Sequence, residues 1–186
     1  MIILASKSPR RKELLSLITK DFEVCESHFD ESIITVDDNY KLPELLAYNK
    51  AKEVANKYNY DDVIIGSDTI VLINNEVLGK PKSNEDAYRM LKLLSNKTHE
   101  VITGLSIIYK DKIINKTVIA KVHFKDLDED EINEYIASGE PFDKAGAYAI
   151  QGLASKFIIG INGDYFTIVG LPVNVLYESL KELKVI

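Results

Sequence analysis

The sequence predicts an α/β fold in which a mixed central sheet is flanked by helices. Three observations lead there. Apolar runs with strand character, Ile2–Ala5 and Val63–Ile73, alternate with segments of helical period that begin at Pro43 and Ser83. Two further runs, Val101–Tyr109 and Ile113–Lys125, read as a hairpin about Lys110-Asp111-Lys112, which puts antiparallel strands into the sheet. No internal repeat, low-complexity tract or linker interrupts the 186 residues, so one domain over 1–186 is expected, long enough to bury a full core.

The elements follow in order. After Ile2–Ala5, Ser8 is placed as an N-cap with Pro9 at the first helical position, and Leu14, Leu15 and Ile18 recur at helical spacing. Phe22–Cys25 alternates like a second strand. Pro43 opens a longer helix in which Leu46, Ala47, Lys50, Ala51, Val54 and Ala55 share a stripe. Val63–Ile73 is apolar except for Gly-Ser-Asp-Thr at its middle, and Asn74-Asn75 turns the chain toward Val77-Leu78. Ser83 with Asp86 three residues on resembles a capping box for the helix through Leu94. Asp128–Ala137 is a helix with acids in its first turn, ended by Gly139. A Gly/Ala-rich loop region covers 140–155, at least one strand lies between Phe157 and Pro172, and Pro172–Leu183 closes as a helix.

Composition narrows the function classes. Apolar residues are 46% and charged residues 28%, near globular averages. No apolar run approaches the ~20 residues of a membrane span. Met1 leads straight into a strand-like run rather than a secretory signal, and Cys25 alone makes neither a disulfide nor a multi-cysteine zinc site. The expectation is a cytoplasmic protein with no membrane partner. A net charge of −6 disfavours long nucleic acids, yet a small polyanion remains open to a few local cations and a metal.

The chemistry-bearing residues are mostly anion binders and acids. Arg10 and Arg11 stand in the first turn after Ser8, where a cation opposes the helix dipole by ~0.3–1 kcal/mol. The mismatch resolves if an anion is bound there, or the pair is simply a solvated surface. Asp68 puts a charge into an apolar strand, which costs several kcal/mol unless paired or metal-bound; it either holds a cation or water, or caps a local turn. Lys50 lies on an apolar helical stripe, poised for a ligand or snorkelling. Lys80, between Gly79 and Pro81, suits phosphate neutralisation or an exposed turn. Asp30 and Glu31 are metal ligands or loop acids, and Gln151 reads a base edge or fills a turn. The three histidines are scattered, Ser8 has no catalytic partners in view, and neither Gly-rich phosphate motif is present. What remains is equipment for metal-assisted hydrolysis of a phosphoanhydride.

The stretches "LASKSPRRKELL", "FDE", "IIGSDTIVLINNEVLGKP", "LLSNKTHEVITG", "YIASGEPFDKAGAYAIQG" and "GDYFTIVGLP" together resemble the Maf family of nucleoside triphosphate pyrophosphatases, in the family's order and over almost the whole chain. The resemblance implies a fold related to inosine triphosphate pyrophosphatases, with a central mixed sheet lining a deep nucleotide cleft. It implies hydrolysis between α- and β-phosphates with a divalent cation, Mg²⁺ or Mn²⁺, giving a monophosphate and pyrophosphate. By it, Asp68 is the acidic catalytic residue and Glu31 a second acid near the metal. Ser8, Arg11, Lys50 and Lys80 are triphosphate contacts, and Arg10, Thr69 and Gln151 select the base. "SPRR", "SDT" and "DKAGAYxIQG" resemble the dTTP/UTP branch. Ala149 stands where glycine is usual, and Phe166-Thr167 where Ser-Asn is common. A homodimer is expected from the resemblance alone. Two rivals stay open: a house-cleaning pyrophosphatase for modified purine nucleotides, against which the "SDT" branch features and Gln151 speak, and a nucleotide-binding regulator of division or septum formation, which would have little use for a strand-embedded Asp68.

Overall fold

The computed structural model describes residues 1–186. Strands and helices run β1 (Ile2–Leu4), α1 (Pro9–Leu15), β2 (Glu23–Val24), α2 (Leu42–Ala55), β3 (Val63–Ile73), β4 (Glu76–Leu78), α3 (Asn84–Leu94), β5 (Thr98–Tyr109), β6 (Lys112–Phe124), α4 (Glu129–Ala137), β7 (Ile158–Asn162), α5 (Tyr165–Val169) and α6 (Val173–Glu182). The strands bond in the order β2-β1-β3-β5-β6-β7, with β4 on β3. β1 is parallel to β2 and β3, whereas β4 and β7 are antiparallel to their partners, so the sheet is mixed as the sequence predicts. No helix is long and apolar enough to cross a membrane.

Contacts divide the chain into two compact units, one of Met1–Thr69, Thr103–Val118 and Gly170–Ile186, the other of Ile70–Ile102 and Ile119–Val169. In the first, Ile3, Ala5 and Ile64 from β1 and its surroundings pack against Ala51 and Val54 of α2. Glycines set how close that helix comes. A Cβ on Gly66 in β3 would overlap the Ala47 carbonyl oxygen and sit 2.9 Å from the Ala51 Cβ. A Cβ on Gly104 in β5 would overlap the backbone of Pro43 and Glu44. Gly66 weakens a strand by propensity, and here the reason it is present is the helix backbone lying directly on it.

The second unit buries a larger cluster that includes Leu78, Leu91, Leu94, Phe124, Ile132 and Phe157. α3 and α4 turn their apolar faces inward and pack on each other. Asn74 and Asn75 take φ of 50° and 62°, the paired positive values of a type I′ turn, which joins β3 to β4.

Several boundaries differ from the sequence reading for local reasons. Ser83 caps α3 through the Asp86 N–H at 3.1 Å, but the Asp86 carboxylate accepts from Lys82 N–H, so no reciprocal box forms. The full capping box is at α4, where Asp128 accepts from Glu131 N–H and Glu131 from Asp128 N–H. Strand β5 begins three residues before Val101, and a turn with Asn96 at φ 55° feeds it. The short helix α5 is absent from the sequence reading; Asp164 starts it by accepting from both the backbone N–H and the hydroxyl of Thr167, at 2.7 and 2.6 Å.

Candidate active site

The first unit carries a charged cluster built around α2 and β3. Ala47, Lys50 and Ala51 lie on one face of α2, and because Gly66 lets that face rest on β3, Lys50 reaches the strand. Its Nζ lies 2.6 Å from Asp68 Oδ1 and 2.7 Å from Glu31 Oε1. Asp68 is 8% exposed. Glu31 comes from the 3-10 turn Glu31–Ile33, which Asp30 starts by accepting the Ser32 N–H at 3.0 Å. Asp30 therefore caps a turn, and Glu31 alone of the pair reaches the cluster. Burial pushes the Asp68 carboxyl above its ordinary range, although Lys50 and Arg11 pull it down.

Arg11 answers the question its position raises. Ser8 caps α1, with its hydroxyl 3.5 Å from Arg11 N–H, and Pro9 opens the helix as predicted. The Arg11 guanidinium then folds toward the protein rather than outward. Nε donates to the Gly170 carbonyl at 2.8 Å, Nη2 to Thr69 Oγ1 at 3.2 Å and Nη1 to Ser6 Oγ at 3.4 Å. Burial lowers its pKa while the Asp68 field raises it. Thr69 Oγ1 lies 2.8 Å from Thr103 Oγ1, and Ser67 Oγ donates to the carbonyls of Gly104 and Gly170 at 3.1 and 3.0 Å. Arg10, by contrast, is half-exposed and makes no ion pair.

The structure thus brings together Glu31, Lys50 and Asp68, and next to them Arg11 with Thr69. Lys80 and Gln151 belong to the second unit, where both are exposed, Gln151 in a turn between Ala149 and Leu153. Ser67, Thr103 and Gly170 escaped the sequence reading as site members. Only Ser67 carried a signal, as the first polar residue in the "IIGSDT" break. The partners of Arg11 at 170 and of Thr69 at 103 are long-range and leave no local pattern.

Chemically, the cluster offers two carboxylates converging on one cation. Lys50 has three N–H donors and spends two, and Arg11 has five and spends three, so both keep donors for a ligand anion. Hard carboxylate oxygens so disposed also suit a magnesium-like cation, which takes one or two carboxylates and fills its remaining positions with water and phosphate oxygens.

A family model described as Maf-like protein matches residues 1–183. The chain is 47% identical over 183 residues to a dTTP/UTP pyrophosphatase of Clostridium perfringens, covering 97% of this chain and 95% of the relative. It is 48% identical over 184 residues to a dTTP/UTP pyrophosphatase of Bacillus cereus, covering 99% and 96%. A third relative of that description, from Alkaliphilus oremlandii, is 51% identical over 175 residues, covering 92% and 90%. Among solved structures, a nucleoside-triphosphatase / dITP/XTP pyrophosphatase from Mycobacterium abscessus has a TM-score of 0.39 at 14% identity, over 66% of this chain and 73% of that one. With a family model spanning almost every residue and relatives near half identical from end to end, the chain belongs to the Maf-like protein family.

Proposed function

We propose that this chain hydrolyses pyrimidine nucleoside triphosphates, dTTP and UTP, adding water across the α–β phosphoanhydride to give the nucleoside monophosphate and pyrophosphate. The observation that carries the reading is the Lys50 ammonium held between Glu31 and a buried Asp68, each within 2.7 Å. A buried carboxylate costs several kcal/mol, and a fold that keeps one in a central strand has a use for its charge. The names of the relatives supply the substrate class.

The roles follow from the donor set. Glu31 and Asp68 would hold Mg²⁺ or Mn²⁺, which when bound would neutralise phosphate charge. Asp68, its carboxyl raised by burial, is suited to take the proton of the attacking water. Lys50 and Arg11 present their remaining N–H donors to the triphosphate, with Ser8 and Lys80 as further contacts. Arg10, Thr69 and Gln151 select the base. Residues 1–186 act as one catalytic domain on a small nucleotide, not on long nucleic acid, and work in the cytoplasm as a homodimer. The net charge of −6 supports the small-substrate choice, because only local cations and a metal then offset a polyanion.

Purified chain incubated with dTTP and Mn²⁺ should release dTMP and pyrophosphate. Orthophosphate with dTDP, or no turnover of any nucleoside triphosphate, rejects the reading. A purine preference of about tenfold or more in kcat/KM would move the substrate class to modified purines.

A further inference from the structure

The turn that carries Gln151 is closed by two side chains that have no part in the reaction above. Tyr135 is 2% exposed on the inner face of α4, and Glu140 begins the 3-10 turn Glu140–Asp143. The Tyr135 hydroxyl donates to Glu140 Oε2 at 2.6 Å, and Glu140 Oε1 accepts the Leu153 N–H at 3.0 Å. Ala149 and Leu153 are the two ends of the turn, Gln151 is its midpoint, and Gly152 N–H crosses it to Ala149 O at 3.1 Å. A hydrogen-bonded path from Tyr135 through Glu140 to Leu153 therefore ties α4 to the far end of the turn, while the Gly152–Ala149 bond closes the turn itself.

The carboxylate also sits hard against the backbone. A Cβ on Gly152 would overlap all three atoms of the Glu140 carboxyl group, so a side chain here would require the carboxylate to move. Just before the turn, Tyr148 is buried, and its hydroxyl lies 2.7 Å from His99 Nε2. Its ring meets Phe124 edge-on at 4.9 Å. The exposed Gln151 side chain thus projects from a segment held at Tyr148, across the turn by the Gly152–Ala149 bond and at Leu153 by Glu140. Such fixing matters for recognition, because a hydrogen-bonding amide discriminates between bases only when its own position is not free to adapt.

We propose that Glu140 is a positioning residue for substrate selection: by bridging Tyr135 to the Leu153 N–H it holds the turn from which Gln151 reads the pyrimidine base. The proposal rests on the role given to Gln151 under the proposed function. It assigns Glu140 no contact with substrate and no effect except through Gln151.

The test uses Glu140→Ala, the milder Glu140→Gln, Gln151→Ala and the double variant Glu140→Ala/Gln151→Ala, each assayed with UTP and ATP. Glu140→Ala should lower the UTP-over-ATP ratio of kcat/KM by roughly tenfold, chiefly through the KM for UTP. Glu140→Gln should lower it less, because its amide oxygen keeps one of the two acceptor roles. With Gln151 already replaced, Glu140→Ala should change the ratio by less than about twofold, since coupled residues are not additive. Amide exchange at Leu153 should quicken in Glu140→Ala. If that exchange quickens and Tm falls while the ratio stays, or if the two single effects multiply in the double variant, Glu140 is structural only and the proposal fails. Should Glu140→Ala not fold, Glu140→Gln carries the same criteria. An unchanged ratio in Gln151→Ala would overturn the proposal by removing its base reader, a failure distinguishable from that of the catalytic reading because dTTP and UTP would still be hydrolysed.

Discussion

The first unit holds charge in its interior: a buried Asp68 pairs with Lys50, which also pairs with Glu31, and beside them Arg11 bonds Thr69 and the Gly170 carbonyl. In the second unit the buried polar groups are neutral. His99 is 2% exposed, touches Tyr148 through Nε2 and meets Phe124 and Tyr148 edge-on at 5.2 and 5.4 Å, and its Nδ1 has no partner. Its pKa is pushed down to about 3, mainly by burial, with a smaller contribution from His123. The two solutions differ in purpose. A neutral, aromatic polar core adds packing and a few directed bonds at modest cost. A buried ion cluster adds little net stability, because desolvation offsets most of the attraction, so its value lies in what the charges do.

The sharpest way to break this contrast is Asp68→Asn, which keeps the volume and removes the charge. Turnover of dTTP should fall roughly 10²-fold or more, while Tm holds or rises, since the buried carboxylate is itself costly. A variant that melts early and still hydrolyses dTTP would make Asp68 a stabilising residue and erase the distinction between the units.

The next effect is on pH. His99 is neutral in the folded state and ordinarily protonates near 6.5 when unfolded. As pH falls below that value the unfolded chain gains a proton that the folded chain refuses, so stability should drop by roughly 1.4 kcal/mol per pH unit until about pH 3. Urea unfolding between pH 7 and 4.5 measures the slope. Repeating it with His99→Gln should flatten the curve in that window, and an unchanged slope would assign the acid sensitivity elsewhere.

The smallest effect sharpens the comparison from the other side. Asp128→Ala removes the N-cap of α4, which should cost about 1 kcal/mol of stability. Thermal unfolding should show the loss and steady-state hydrolysis of UTP should not. A fall in kcat here would mean that the second unit's scaffold cannot be separated from turnover.

Much of the fold is legible in the sequence because its signals are local. Ser8-Pro9, the acids after Asp128 and Gly139 mark helix ends, and the apolar run between Val63 and Ile73 marks a buried strand. Asp68 and Lys50 are also legible, each as a charge where an apolar residue belongs. What is not legible depends on distance along the chain. Nothing near Arg11 announces Gly170 as its acceptor, and nothing near Glu140 announces Leu153. The first-turn arginines point toward an external anion by the helix-dipole argument, yet Arg11 finds its acceptors inside the fold, in residues 58 and 159 positions away. Helix α5 is missed because its start depends on one carboxylate, Asp164, rather than on any periodicity.

Two absent methyl groups, at Gly66 and Gly104, let α2 rest directly on strand backbone, and the reach of the Lys50 ammonium is thereby measured from the strand surface itself. A lysine stem has a fixed length. The chemistry proposed for Asp68 therefore inherits its tolerance from two residues that carry no charge and stand far apart in the sequence. In a lineage of such chains, drift in rate need not begin among the acids and bases. It can begin as a change in the spacing of a helix above a sheet, by the thickness of one carbon atom.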